Sequence, residues 1–276
     1  MPKVRKHSLL LELVLFGLVT TVAACGGDDD DDANSSATSA AATTTTAPAV
    51  SGEITVSAAA SLTEAFTEIG EDFSDANPDA TVTFNFGSSG TLATQIQEGA
   101  PADTFASADE ANMGKLVSAS LVDGEPLVFT QNKLTIVTKP GNPKDVARLA
   151  DLAALPIVSL CADTVPCGKY AAQVLETAGV TIPETNVTRG QDVKVTLDAV
   201  TQGDADAAIV YVTDANAAGE DAHPVEIPDS ENAIATYPVA TLTASGNKET
   251  SRAFIDYVTS SDGQATLESY GFVPAP

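Results

Sequence analysis

Two serines, Ser61 and Ser89, lie where a short apolar run gives way to a helical pattern. Ser61 follows the alternating residues at 54–56, and Ser89 follows Phe84 and Phe86, so each apolar run predicts a β-strand. A serine in this position lies at the carboxyl end of a strand and at the start of a helix. Unpaired backbone N–H groups and the positive end of the helix dipole favour an anion there. The repeated arrangement predicts an anion-binding site formed by hydroxyl and N–H donors.

Ser61 also has a purely structural interpretation. The sequence Ser61-Leu-Thr-Glu64 matches a capping box, in which the serine side chain bonds to the first turn of its own helix. A capping Ser61 would stabilise the helix by about 1 kcal/mol without contacting any ligand. Because the same arrangement recurs at Ser89, we favour binding and keep capping as the alternative.

Residues 1–24 have the features of an export signal. Basic residues open the chain, an apolar run covers 9–19, and small residues at 22–24 precede Cys25. This order predicts a bacterial lipoprotein signal peptide that is cleaved before Cys25, where the lipid is attached. A transmembrane anchor is the less favoured alternative, because the run is short and Glu12 interrupts it. The predicted location is the outer face of the cytoplasmic membrane.

The segment 25–50 has low complexity, with aspartates at 28–32 followed by serine, alanine and threonine. It has no large apolar residue before Val50, so it cannot bury a core and is predicted to be a disordered tether. The aspartate run lacks the glycine and glutamate of an EF-hand loop, so a solvated spacer is favoured over a calcium site.

The chain is strongly acidic, with 13 basic and 38 acidic side chains and a net charge of −25 at pH 7. Such a surface repels nucleic acid. It also does not attract anions from a distance, so an anion would have to be bound by nearby N–H and O–H donors. The two histidines are His7 and His223. A histidine-rich metal site is therefore excluded, and a Ser-His-Asp triad would need His223, for which a surface role is favoured. With no base near a nucleophile, we predict no enzyme activity, no cofactor and no direct cation site.

Cys161 and Cys167 remain once Cys25 is assigned to the lipid. An exported chain favours a disulfide between them, which would stabilise the fold by roughly 2 kcal/mol on the chain-entropy model. A zinc site is the alternative, but Asp163 is the one further ligand nearby.

From Ser51 onward predicted strands and helices alternate, which indicates an α/β fold. About 225 residues exceed one typical core, so more than one lobe is expected. Further predicted elements are a helix capped by Asp109, strands at 127–130 and 134–137, a weak helix at 146–154, a helix at 169–178, a helix capped by Asp192, strands at 207–211 and 237–242, and two C-terminal helices.

The motifs of the chain, in this order, resemble those of the periplasmic molybdate-binding proteins of ABC transporters. The resemblance covers residues 53–273. The motifs lie at 58–63, 86–93, 99–109, 165–168, 191–193, 208–211 and 270–272.

The resemblance implies a two-lobed α/β fold of the type II periplasmic-binding-protein class, each lobe a mixed sheet flanked by helices. It assigns 51–131 plus 238–276 to lobe 1 and 132–237 to lobe 2, with a hinge between them. It also implies that the protein captures molybdate and tungstate in the cleft between the lobes. As a monomer, it would deliver the oxyanion to the permease of an ABC importer.

The resemblance implies a ligand set without charged residues. Ser61 and Ser89 would supply hydroxyl and backbone N–H groups, Cys167 and Val193 backbone N–H groups, and Tyr211 its phenol. Cys167 departs from the family, which often has alanine there. From the residues alone, Val193 is an apolar helix residue and Tyr211 a core aromatic.

A receptor of the same fold for sulfate, phosphate or a small organic anion is the alternative function. A phosphate receptor needs an acceptor for the phosphate proton, and Asp192 is the candidate.

Overall fold

The computed structural model describes residues 50–276. The predicted signal peptide, the lipid site at Cys25 and the predicted tether up to residue 49 lie outside the described residues. Between residues 50 and 276, no helix is long and apolar enough to cross a membrane.

Strands and helices alternate through the described residues. The strands are β1 Gly52–Ala59, β2 Ala80–Gly87, β3 Thr104–Ala106, β4 Leu127–Thr138, β5 Val158–Cys161, β6 Val187–Gly190, β7 Ala207–Tyr211, β8 His223–Glu226, β9 Ile234–Thr241 and β10 Val273–Pro274. The helices are α1 Thr63–Ala76, α2 Ser89–Gln97, α3 Glu110–Ser118, α4 Pro166–Thr177, α5 Val193–Thr201, α6 Val212–Ala218, α7 Lys248–Thr259 and α8 Ser261–Ser269.

The strands form two groups that meet on the long strand β4. In the first strand group, β1 pairs in parallel with β2 and β3, and β9 joins β3 to the Leu127–Lys133 half of β4. In the second strand group, β5 pairs in parallel with β6 and β7, and β7 joins the Leu134–Thr138 half of β4. The short strands β10 and β8 pair with the first and second halves of β4, respectively. Helices α1, α2, α3, α7 and α8 connect first-group strands, and α4, α5 and α6 connect second-group strands.

Apolar periodicity explains why these segments pack as they do. Phe66, Ile69 and Phe73 lie on one face of α1 and are fully buried. Phe66 and Phe73 both pack against Phe254 of α7, with ring centroids 5.8 and 5.6 Å apart. A Cβ on Gly70 would lie 2.5 Å from the Phe84 ring, so glycine is what lets α1 approach β2.

The mixed α/β fold expected from the sequence is confirmed. Asp109 and Asp192 cap α3 and α5, as predicted. The prediction of separate strands at 127–130 and 134–137 is wrong, because the chain continues as β4 through the polar residues between them. Asn132 is fully buried there, with its Nδ2 donating to Thr213 Oγ1 at 2.9 Å.

The segment predicted as a weak helix at 146–154 instead forms a 3₁₀ helix at Leu149–Ala154. The lobe boundaries at 131/132 and 237/238 stay predictions. Strand β4 passes from one strand group to the other at Lys133 and Leu134, where its pairing changes from β9 to β7.

Candidate functional site

A small cavity lies between the two strand groups, at the carboxyl ends of their parallel strands. Residues that follow β1, β2 and β3 form one wall, and residues that follow β5 and β6 or end β7 form the other. Parallel α/β folds place ligands in this position, because helix N-termini converge there. The cavity volume is about 20 Å³. A single water needs roughly 10–15 Å³, so the space suits a small ion rather than an organic ligand.

All five residues that the sequence analysis proposed as ligands line this cavity. They come from five different segments, and the structure brings them together from both strand groups. Their roles in binding stay predictions. The residues are Ser61, Ser89, Cys167, Val193 and Tyr211.

Ser89 is the first residue of α2 and is 1% exposed. Its Oγ accepts a hydrogen bond from the backbone N–H of Ala108 at 3.0 Å. The hydroxyl hydrogen is therefore still available for donation. The Ser89 N–H lies in the first turn of the helix, so it has no acceptor within the helix. Ser89 thus has two donors at the cavity.

Ser61 lies in a short 3₁₀ turn between β1 and α1. The capping-box interpretation is wrong, because the turn makes Leu62 the residue that precedes α1 and no side chain caps this helix. Instead, Ser61 Oγ lies 2.8 Å from Tyr237 Oη, and both residues are buried. When Tyr237 donates in this bond, the Ser61 hydrogen is free for a ligand.

Tyr211 ends β7 and is 1% exposed. Its hydroxyl has no hydrogen-bond partner among the described residues, although buried polar groups are almost always paired. Burial raises the pKa of Tyr211 well above its usual value. The phenol therefore stays protonated and is available as a donor.

Cys167 and Val193 lie in the first turns of α4 and α5. Their backbone N–H groups belong to the set that has no acceptor within the helix, and both helix dipoles place positive charge there. Cys167 is joined to Cys161 by a disulfide, as predicted, so neither thiol is free to ligate zinc. The bridge ties the end of β5 to the first turn of α4.

None of the described residues that line the cavity is lysine, arginine or histidine. Asp192 is the one carboxylate among them, and its Oδ1 accepts from Val195 N at 2.9 Å at the start of α5. Any compensation of an anion must therefore come from N–H and O–H donors and from helix dipoles.

Ser88 is a further residue at the cavity that sequence patterns did not identify. This residue is the N-cap of α2 and lines the cavity, yet its buried Oγ makes no hydrogen bond with the described residues. The signal was present in the paired serines of the 86–93 motif, but a helical pattern identifies only the residue that opens the helix.

Comparisons with known proteins agree with this architecture. The model of the family "bacterial extracellular solute-binding protein" matches residues 54–273. Molybdate-binding protein ModA of Mycobacterium tuberculosis is 38% identical over 220 residues, which cover 79% of this chain and 84% of that protein.

Two solved structures show the same fold. The periplasmic molybdate-binding protein of Azotobacter vinelandii superposes with a TM-score of 0.74 at 19% identity, covering 81% of this chain and 100% of that one. The sulfate-binding protein SubI from Mycobacterium tuberculosis has a TM-score of 0.72 at 21% identity, covering 81% and 87%. Identities this low support the fold alone.

Two strand groups that enclose a donor-lined cavity at their carboxyl ends define a receptor for a small solute. The match to the family model and the 38% identity to ModA of Mycobacterium tuberculosis confirm the resemblance found in the sequence. The chain belongs to the bacterial extracellular solute-binding proteins.

Proposed function

We propose that this protein is a substrate-binding component of an ABC importer and binds molybdate, and also tungstate, in the cavity. The observation that carries the proposal is the surplus of buried donors: the hydroxyls of Ser88 and Tyr211 have no partner among the described residues. An oxyanion supplies acceptors and no donors, so it pairs with each of them. Molybdate is the oxyanion that the relative with 38% identity is named for.

The donors suit a fully deprotonated anion. Ser89 receives one bond from the backbone and keeps its hydrogen for the ligand. Ser61 does the same when Tyr237 donates to it. With Tyr211 and the first-turn N–H groups of α2, α4 and α5, the ligand oxygens meet donors from both strand groups.

Selection against sulfate depends on size in this proposal. A larger tetrahedral anion reaches donors on both walls at once, whereas a smaller one leaves some of them unpaired. Each buried donor left unpaired costs about 1–3 kcal/mol. The fold itself does not select the anion, because a sulfate-binding protein has the same fold.

Titration calorimetry with sodium molybdate, tungstate, sulfate and phosphate tests the proposal. We expect molybdate and tungstate to bind at least a hundredfold more tightly than sulfate, as two unpaired donors would produce. Equal affinity for sulfate, or no heat with molybdate, would contradict it.

Phosphate binding is the second candidate function, because Asp192 lines the cavity and its carboxylate accepts hydrogen bonds. If phosphate is the ligand, Asp192→Asn weakens phosphate binding, since the acceptor for the phosphate proton is lost. If molybdate is the ligand, the same change strengthens binding by removing a negative charge. Asparagine also caps helices, so the substitution preserves α5.

We further propose that Cys25 carries a lipid that holds the protein at the outer face of the cytoplasmic membrane. The order of charge, apolar run and cysteine in residues 1–25 supports this. Membrane fractionation and mass measurement of the wild type and of Cys25→Ser test it. A wild-type protein that is released as readily as the variant would contradict it.

A further inference from the structure

Two lysines connect the walls of the cavity. Lys194, on α5 of the second strand group, places its Nζ 2.7 and 2.8 Å from the two carboxylate oxygens of Glu64, on α1 of the first. Lys169, on α4 of the second group, places its Nζ 3.2 Å from Asp109 Oδ2, at the start of α3 in the first. We refer to Lys194–Glu64 and Lys169–Asp109 as the cross-cavity ion pairs.

Both ion pairs adjoin the residues that line the cavity. Lys194 follows Val193, and Lys169 lies two residues after Cys167. On the opposite wall, Asp109 follows Ala108, whose N–H binds Ser89. The ion pairs are therefore placed so that a shift in either one moves a first-turn donor of the cavity.

The Lys194 side chain is also anchored within its own strand group. Its Nζ lies 3.0 Å from Oδ1 of Asp214, which is fully buried in the first turn of α6. This second contact limits the rotamers of Lys194. A preorganised lysine loses less entropy when it forms the bond across the cavity.

We propose that the cross-cavity ion pairs hold the two strand groups closed around the cavity, with Lys194 and Lys169 as positioning residues. All donors to the anion are then backbone N–H and hydroxyl groups, while the lysines act outside the cavity. No lysine ammonium then lies against the ligand, and yet the lysines help to retain the ligand in the cavity. The role in ligand retention rests on the proposed function, whereas the role in closure does not.

The variants that test this proposal are chosen to preserve the fold. Glu64→Gln leaves the Lys194–Asp214 contact in place, and Lys169→Met removes a half-exposed charge. The matched control combines Lys248→Met with Asp123→Asn, because Lys248 Nζ lies 3.0 Å from Asp123 Oδ2 and both residues belong to segments of the first strand group.

The decisive measurement is the distance between the strand groups in the full-length protein without ligand. Spin labels on non-canonical amino acids in place of Gln97 on α2 and Gln173 on α4 report it, and both positions are exposed. We expect longer distances in the Glu64→Gln/Lys169→Met variant and an unchanged distribution in the control. Unchanged distances, or an equal change in the control, would overturn the proposal.

The second measurement is the dissociation rate of molybdate by stopped flow. Partly exposed ion pairs contribute up to about 1 kcal/mol each, so each substitution should raise this rate about two- to fivefold and leave the association rate unchanged. An unchanged dissociation rate would overturn the role in retention. If the wild type binds no molybdate but the distance between the strand groups still increases in the variant, the proposed function is refuted and the role of the ion pairs in closure is supported.

Discussion

The hydroxyl groups around the cavity differ in the bonds that they already make. Tyr237 Oη is bonded to Ser61, while Tyr211 Oη has no partner among the described residues. The two tyrosines are both fully buried, and their rings lie 6.1 Å apart in an edge-to-face arrangement. They therefore form a matched pair for separating a structural hydroxyl from a binding one.

Tyr211→Phe should lower molybdate affinity about tenfold or more, because a donor to a charged ligand is lost. The free energy of unfolding without ligand should stay constant or rise by about 1 kcal/mol, since an unpaired buried hydroxyl is removed. Calorimetry and urea denaturation measure the two quantities. Tyr237→Phe is the control, and it should lose stability. A Tyr211→Phe variant that loses stability but keeps its affinity would place this hydroxyl in the core rather than in the site.

Ser89→Ala should weaken molybdate binding roughly ten- to a hundredfold, and Ser61→Ala should do likewise, because each removes a hydrogen bond to an anion. Ser61→Ala should also lower the free energy of unfolding by about 1 kcal/mol, through loss of the Tyr237 partner rather than of a helix cap. Equilibrium titration and chemical denaturation test this, with the exposed Ser118→Ala as control. Retained affinity in both serine variants would refute the proposed ligand set.

At the scale of elements, the start of α4 is held in place by a covalent bond as well as by packing. The disulfide joins Cys161 at the end of β5 to Cys167 in the first turn of the helix. A site built from backbone N–H groups requires its helices to be fixed, because a displaced helix start moves the donor directly. The bridge is thus a positioning device for one wall of the cavity.

The double variant Cys161→Ala/Cys167→Ala should lower the free energy of unfolding by roughly 2 kcal/mol. Its molybdate affinity should fall less than that of Ser89→Ala, because residue 167 keeps its N–H. Denaturation and calorimetry with and without a reducing agent test this, and the agent should affect the wild type but not the variant. If the double variant loses all binding, the side chain at 167 contributes more than its backbone.

Local patterns predicted the elements that carry the site, but not their contacts. The positions of Ser89 and Val193 at helix starts follow from capping and apolar spacing, which are properties of a few neighbouring residues. The same patterns predict the start of α4 at Lys169, three residues after Pro166, where the helix begins. The partner of Ser61 is Tyr237, 176 residues away, and no local rule contains that bond. The prediction of two separate strands in place of β4 failed for a similar reason, because the buried Asn132 is hydrogen-bonded to Thr213 of a distant helix. Family motifs, rather than periodicity, connected the five cavity residues.

At the scale of the whole molecule, a buried acid lies behind one wall of the cavity. Burial raises the pKa of Asp214 to about 6, against the opposing effect of the Lys194 ammonium, while Glu64 adds to the rise. In the unfolded chain the pKa of an aspartate is about 3.9. Between these values the folded protein holds a proton that the unfolded chain has released.

The stability of the protein should therefore depend on pH through Asp214. The contribution of the raised pKa is fully present below about pH 4 and is lost as the pH rises through about 6. A shift of about two pKa units corresponds to about 3 kcal/mol. Asp214→Asn cannot titrate, so the stability of the wild type relative to this variant should fall by up to that amount between pH 4 and 7.

Urea denaturation of the wild type and of Asp214→Asn across this pH range tests the linkage. Asp229→Asn controls for the loss of one carboxylate at an exposed ion pair. A wild type whose stability runs parallel to that of Asp214→Asn from pH 4 to 7 would show that this carboxylate titrates alike in the folded and unfolded states.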